Sequence, residues 1–242
     1  MNAVLKNTLI QQTRMFDPTV EYLVVFRGGQ GGNFLSTVLN TALGYQLDNT
    51  DIGSNEYHNT KGIVQNTHIN LWFRQYEGQA YRTETYSVGA YRSILKLFKS
   101  RNIKLIILNA DYPLILYTEL IGSIKAVNNG HHNKGKNCDL NQIKHTVSYN
   151  LLHNTGPITP GSKEFYQGIV RHYNTLIKLS THYGIPHISI DYRDIFLDQN
   201  TRRLVEFLDI PTENITALKR SIREYTEQNN SLLKDFGLEF PA

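Results

Sequence analysis

Four glycines fall within five positions at Gly28-Gly-Gln-Gly-Gly32, a spacing at which a backbone can wrap around an anion. Without Cβ atoms the chain can curl until several N–H groups point inward and form a nest. The residues before it, Tyr22-Leu-Val-Val-Phe-Arg27, form a short apolar run suited to the centre of a parallel sheet. After it, positions 33–43 repeat Phe34, Leu35, Val38, Leu39 and Ala42 on one helical face. A glycine-rich turn between a buried strand and a helix predicts a phosphate-bearing nucleotide on the peptide amides, aided by the positive end of the helix dipole. Asn33 is expected to cap that helix, Ser36 and Thr37 lie one turn in, and Gly44 ends it in a left-handed conformation. The competing reading is a tight turn that binds nothing. Two familiar phosphate loops do not fit. Gly32 is followed by Asn33 and Phe34, so the lysine and the hydroxyl of the nucleoside triphosphatase loop are absent. Gly28, Gln30 and Asn33 also miss the dinucleotide spacing.

Other elements must hold this turn in place. Strand patterns recur at 62–69, 103–108 and 186–190, and helical patterns at 88–99, 113–127, 139–153, 162–183, 202–208 and from Thr212 toward Leu233. Thr212 is expected to cap the last of these. Alternation of this kind predicts an α/β fold, a three-layer sandwich with a central parallel sheet. With 242 residues and no repeat or linker, the chain reads as one domain, residues 1–20 being an N-terminal extension.

Composition narrows the partners. A net charge of +4 and a pI near 9.0 suit an anionic ligand, yet the charges are dispersed and no basic tract marks a nucleic-acid binder. Cys138 is the single cysteine, which leaves no internal disulfide and no cysteine-based zinc site. His131-His132 reads as a solvated loop, so no metal is expected. No apolar run approaches bilayer length, and 1–16 is interrupted by Lys6, Gln11, Gln12 and Arg14. A soluble, cytoplasmic protein is the expectation, with no membrane contact.

The stretch His187-Ile-Ser-Ile-Asp-Tyr-Arg-Asp-Ile-Phe196, followed by Thr201-Arg-Arg-Leu-Val-Glu-Phe-Leu-Asp-Ile-Pro211, resembles the sulfotransferase family. There a late strand ends in a Tyr-Glu-Asp-Leu-like segment, and a short helix closes with Phe-Leu-Gly-hydrophobic-Pro; here these are Tyr192-Arg-Asp-Ile195 and Phe207-Leu-Asp-Ile-Pro211. The resemblance implies a P-loop NTPase-like sheet and transfer of a sulfuryl group from 3′-phosphoadenosine 5′-phosphosulfate (PAPS) to a hydroxyl or amine of a small molecule or saccharide. It implies that Arg27, Gly28, Gly29, Gln30, Gly31, Gly32, Asn33 and Phe34 bind the phosphosulfate and that Tyr192 meets the adenine. It also implies that His68, in the pair Thr67-His68, is the general base, a role an imidazole fits because it titrates near working pH. Taken alone, His68 reads as a hydrogen-bonded core histidine, and only the Thr67-His68 context makes the general-base reading its equal.

Departures from the family pattern are specific. Gly29 stands at the basic position of the loop, and Gly32 and Asn33 stand at the hydroxyl positions. Asp111 and Glu119 occupy the places where the family clamps the 3′-phosphate with Arg and Ser, and Lys234-Asp-Phe-Gly237 is a remnant of a late basic segment. A different clamp from Arg92, Arg101, Lys134 or Lys136, a donor without the 3′-phosphate, or lost activity would each account for this. An atypical phosphotransferase and a non-catalytic binding protein remain the alternatives.

Overall fold

Tyr22-Leu-Val-Val-Phe26 forms β1 (Tyr22–Phe26), and all five residues are buried. A strand buried on both faces belongs inside a parallel sheet, and β1 lies there. The computed structural model describes residues 20–26, 30–45, 62–68, 92, 95–111, 114, 117–118, 121, 125, 163–235, 237 and 239–240. Its sheet joins β1 to β2 (Val64–His68) on one side and to β3 (Lys104–Asn109) on the other, with β4 (His187–Asp191) beyond β3. All pairings are parallel, in register Phe26 with His68, Val25 with Ile107, and Asn109 with Asp191.

The helices are α1 (Gly32–Ala42), α2 (Lys163–Tyr183), α3 (Arg202–Leu208) and α4 (Thr212–Lys234), with a π-helical turn at Arg193–Leu197. Residues 95–100 and positions 114, 117, 118, 121 and 125 are also helical. The chain leaves β1 toward β2, then crosses back past β1 to β3. Right-handed crossovers therefore put α1 on one face of the sheet and the later connections on the other. The packing agrees: α1 lies against β1 and β2, α2 against β3 and β4. The expected α/β architecture with a central parallel sheet flanked by helices is what forms.

Asn40 fixes α1 to the sheet. Its Nδ2 donates to the carbonyl oxygens of Val64 (2.8 Å) and Ser36 (3.0 Å), and its Oδ1 accepts from the Val64 N–H at 3.0 Å. The buried amide thus acts as one more rung of the ladder at the first residue of β2. At the other end of the chain, Asn214 in the first turn of α4 donates to the Ala42 carbonyl at 2.9 Å, satisfying a C-terminal acceptor of α1.

Two boundary expectations are corrected. The cap of α1 is Gly31, so Asn33 lies inside the first turn. Pro211 precedes α4 and Thr212 is its first helical residue, with no side-chain cap bond; a proline fixed near φ −54° already starts the helix without one. Gly44 does adopt a left-handed conformation, with φ 84°. The expected helix at 139–153 lies outside the described residues, as does the 1–20 extension apart from Val20. Among the described residues no helix is long and apolar enough to cross a membrane.

Candidate functional site

The glycine-rich turn begins where β1 ends. Arg27, Gly28 and Gly29 lie outside the described residues. Gly31 is left-handed, with φ 72° and ψ 21°, and its carbonyl accepts the first helical bond, from the Leu35 N–H at 2.8 Å. No side chain caps α1 and no acidic residue stands in its first turn. The N–H groups of Gly32, Asn33 and Phe34 are those a helix leaves without partners of its own, and the positive dipole end is there. A Cβ at Gly32 would collide with the ring of Phe26, so the helix start is pressed onto the end of β1. This places Gly31 at the carboxyl edge of the sheet, at the point where strand order reverses around β1. Ligands of open α/β sheets gather at such a point.

Not every residue expected at the phosphosulfate faces the turn. Gln30 is fully buried, and its Oε1 accepts a bond from the Tyr173 hydroxyl of α2 at 3.0 Å. Its side chain is therefore a core group. Ser36 Oγ and Thr37 Oγ1 both donate to the Asn33 carbonyl at 2.9 Å, the usual back-bond of hydroxyls inside helices. Asn33 is exposed, and Phe34 is half-buried.

Phe34 leads to residues that the sequence pattern did not single out. Its ring stacks on Tyr225 of α4, with centroids 4.0 Å apart and an interplanar angle of 11°. Lys125 Nζ lies 4.4 Å from the centroid of the same Tyr225 ring. Two groups so close cannot share one face, so Tyr225 is held between Phe34 and the ammonium. Lys125 also donates to Asn229 Oδ1 at 2.7 Å. No described carboxylate pairs with it, and burial alone lowers its pKa from 10.5 to about 8. Burial likewise pushes up the phenol of Tyr225, while the nearby Asn229 amide opposes the shift.

Tyr192 follows β4 and is 1% exposed, its ring packed against Phe196 (4.6 Å) and Phe240 (5.9 Å). Its phenol is raised well above the ordinary value, first by burial and then by Tyr225. Protein aromatics thus occupy the surroundings in which an adenine would have to be received. His68 ends β2 in register with Phe26, one strand over from the turn; the structure describes its backbone position.

The carboxyl edge of β3 and β4 is acidic. Asp111 pairs with Arg193 at 4.0 Å, and Asp191 Oδ1 accepts the Arg193 N–H at 2.8 Å. Burial, then the Asp194 and Asp111 charges, raise the Asp191 carboxyl against the lowering effects of the Arg193 amide and guanidinium. A 3′-phosphate at Asp111 would meet the carboxylates of Asp111, Asp191 and Asp194 around one guanidinium, so this edge does not fit one. Arg101, one of the alternative clamps, precedes β3 and so lies at the opposite edge of the sheet. Arg92 is exposed on the connection into β3, and Lys134 and Lys136 fall outside the described residues.

A groove of about 530 Å³ opens between the π-helical turn and α4, lined by Arg193, Arg223, Thr226, Lys234 and Phe240 among others. It includes no residue of the glycine-rich turn. Among the described residues no group of three or more His, Cys, Asp or Glu is placed to hold a metal. Comparison with known proteins adds no relative: no family model, no curated protein and no solved structure matches this chain.

Proposed function

We propose that the protein is a sulfotransferase that binds PAPS by its phosphosulfate at Gly28–Gly32 and passes the sulfuryl group to a hydroxyl or amine of a small molecule or saccharide. One observation carries the binding part. An uncapped helix start lies behind a left-handed Gly31, at the carboxyl edge of the central strand and at the reversal of strand order. The family assignment rests on the resemblance of Tyr192–Ile195 and Phe207–Pro211. It is supported by the matching element order, in which a strand ends at Asp191 and a short helix spans Arg202–Leu208.

The residues fit the donor at one end. The first-turn amides of α1 suit the phosphosulfate, whereas the edge at Asp111 does not suit a 3′-phosphate. Bound PAPS would supply an activated sulfuryl group whose bond to the phosphate oxygen breaks as a bond to the acceptor oxygen or nitrogen forms. The chain's part is to hold that group in line and to stabilise negative charge through the amides of Gly31–Phe34. His68, one strand from the turn, would take the acceptor proton.

A second reading, a non-catalytic protein that keeps the fold for binding a partner, is favoured by the acidic surroundings of Arg193. A phosphotransferase would need a magnesium site as well. Calorimetry at low salt with 3′-phosphoadenosine 5′-phosphate tests the preferred reading. Saturable binding is the expected result, and no detectable heat would remove the cofactor assignment. Magnesium-dependent turnover of ATP or GTP by the pure protein would favour the phosphotransferase.

A further inference from the structure

We propose that Lys125 brings a cation from the segment after β3 to the glycine-rich turn, making an oxyanion site with Gly31, Tyr225 and Asn229. The ligand class is a phosphate or sulfuryl oxyanion. The inference rests on the preceding reading only in its choice of anion.

The first support is position. Tyr225 joins the ammonium to the turn: Nζ lies 4.4 Å from its ring centroid, and a Cβ at Gly31 would lie 2.6 Å from its hydroxyl oxygen. The first-turn amides of α1 begin at that glycine, so the helix N-terminus and the ammonium flank one phenol.

The second support is an unsatisfied donor. Asn229 is 1% exposed, and its Nδ2 has no hydrogen-bond acceptor. Lys125 offers only donors, so the 2.7 Å bond to Oδ1 fixes which way the amide faces. The Asn229 amide lowers the phenols of both Tyr192 and Tyr225 against the effect of burial, and no acceptor lies within hydrogen-bond geometry of its Nδ2. A buried amide left without an acceptor costs about 1–3 kcal/mol, and an oxyanion oxygen would satisfy it.

The third support is the chemistry of the donor set. Ammonium, amide and two phenols contribute donors and no described carboxylate. Tyr225, which faces Lys125 from α4, and Tyr192, which like Tyr225 feels the Asn229 amide, stay neutral because burial raises both. The lowered pKa of Lys125 is what an ammonium without an anionic partner shows, and a bound anion would bring it back up.

The test uses the full chain, with inorganic pyrophosphate and 3′-phosphoadenosine 5′-phosphate as separate probes in calorimetry. Lys125→Met is expected to weaken pyrophosphate binding about 10-fold or more, the scale of one charge-assisted hydrogen bond, and Lys125→Arg to recover most of the loss. Pyrophosphate should also slow trinitrophenylation of Lys125 in the wild-type protein, read by peptide mass spectrometry, an effect that a purely structural lysine would not show. Unchanged affinity in a folded Lys125→Met protein overturns the proposal, as does a wild-type protein that binds neither probe. Pyrophosphate binding that depends on Lys125 without nucleotide binding would sustain this site while removing the PAPS reading.

Discussion

The hydroxyl of Tyr225 rests on Gly31, so that a β-carbon at position 31 would lie 2.6 Å from the phenolic oxygen. The two residues come from opposite ends of the chain, and their contact ties the C-terminal helix to the turn that opens α1. Phe34 and Lys125 close on the two faces of the same ring. Tyr225 is thus the piece through which turn, helix and post-β3 segment meet.

Gly31→Ala should destabilise the fold by about 2 kcal/mol or more, combining a left-handed φ of 72° with the clash on Tyr225. Gly44→Ala shares the positive φ but meets open space, so about 1 kcal/mol is expected there. Tyr225→Phe removes the clashing oxygen and should offset part of the Gly31→Ala loss. A double-mutant cycle by urea denaturation reads that coupling; strict additivity would show that the contact does not form.

Asn40→Ala strips both side-chain partners from the Val64 backbone and should cost about 2–4 kcal/mol, since buried N–H and C=O groups are left unpaired. Asn40→Asp keeps the acceptor and loses the donor, so an intermediate loss is expected. Equilibrium urea unfolding checks both, and a change below about 0.5 kcal/mol for the alanine variant would contradict the role given to Asn40.

Lys125 gives the stability a pH signature. Its folded pKa is about 8 against 10.5 for the free group, so between those values the unfolded chain holds a proton that the folded chain has released. Unfolding then takes up a proton, and stability climbs as pH rises from about 8 toward 10. Above 10.0 the direction reverses: unfolded tyrosines ionise while Tyr192 and Tyr225 stay protonated in the fold. The rise should be missing in Lys125→Met, whose thermal midpoints across pH 8–10 should run flat or downward relative to wild type.

On the proposed mechanism His68→Ala should abolish sulfuryl transfer while leaving nucleotide affinity within about twofold, because the proposed base acts on the acceptor. The readouts are transfer from labelled PAPS to an acceptor panel and calorimetry. Turnover that survives the substitution would return His68 to the sheet edge as a structural residue.

The sheet is legible in the sequence because its signals are local. Apolar runs such as Tyr22–Phe26 and Leu105–Leu108 declare burial wherever they sit, and the amphipathic spacing of 163–183 and 212–234 marks helices without reference to partners. Side-chain capping is a poorer guide here. Glycine and proline geometry starts α1 and α4 at Gly31 and Pro211, ahead of the Asn33 amide and the Thr212 hydroxyl that the pattern favours. Gln30 has the look of a polar turn residue, and only the Tyr173 hydroxyl, 143 positions away, explains its burial. The Lys125–Tyr225–Asn229 group has a partial signal: Ile222, Thr226, Asn229 and Leu233 share the buried face of α4, which places the amide inward. Nothing local to Lys125 distinguishes it from a solvated lysine, because its environment is made by the C-terminal helix.

The most direct measurement is a crystal structure of the full chain with 3′-phosphoadenosine 5′-phosphate. The 5′-phosphate should lie about 3 Å from the amide nitrogens at the start of α1, next to Gly31. Nucleotide density elsewhere on the molecule, or a turn whose amides are all engaged by the protein itself, would contradict the central claim.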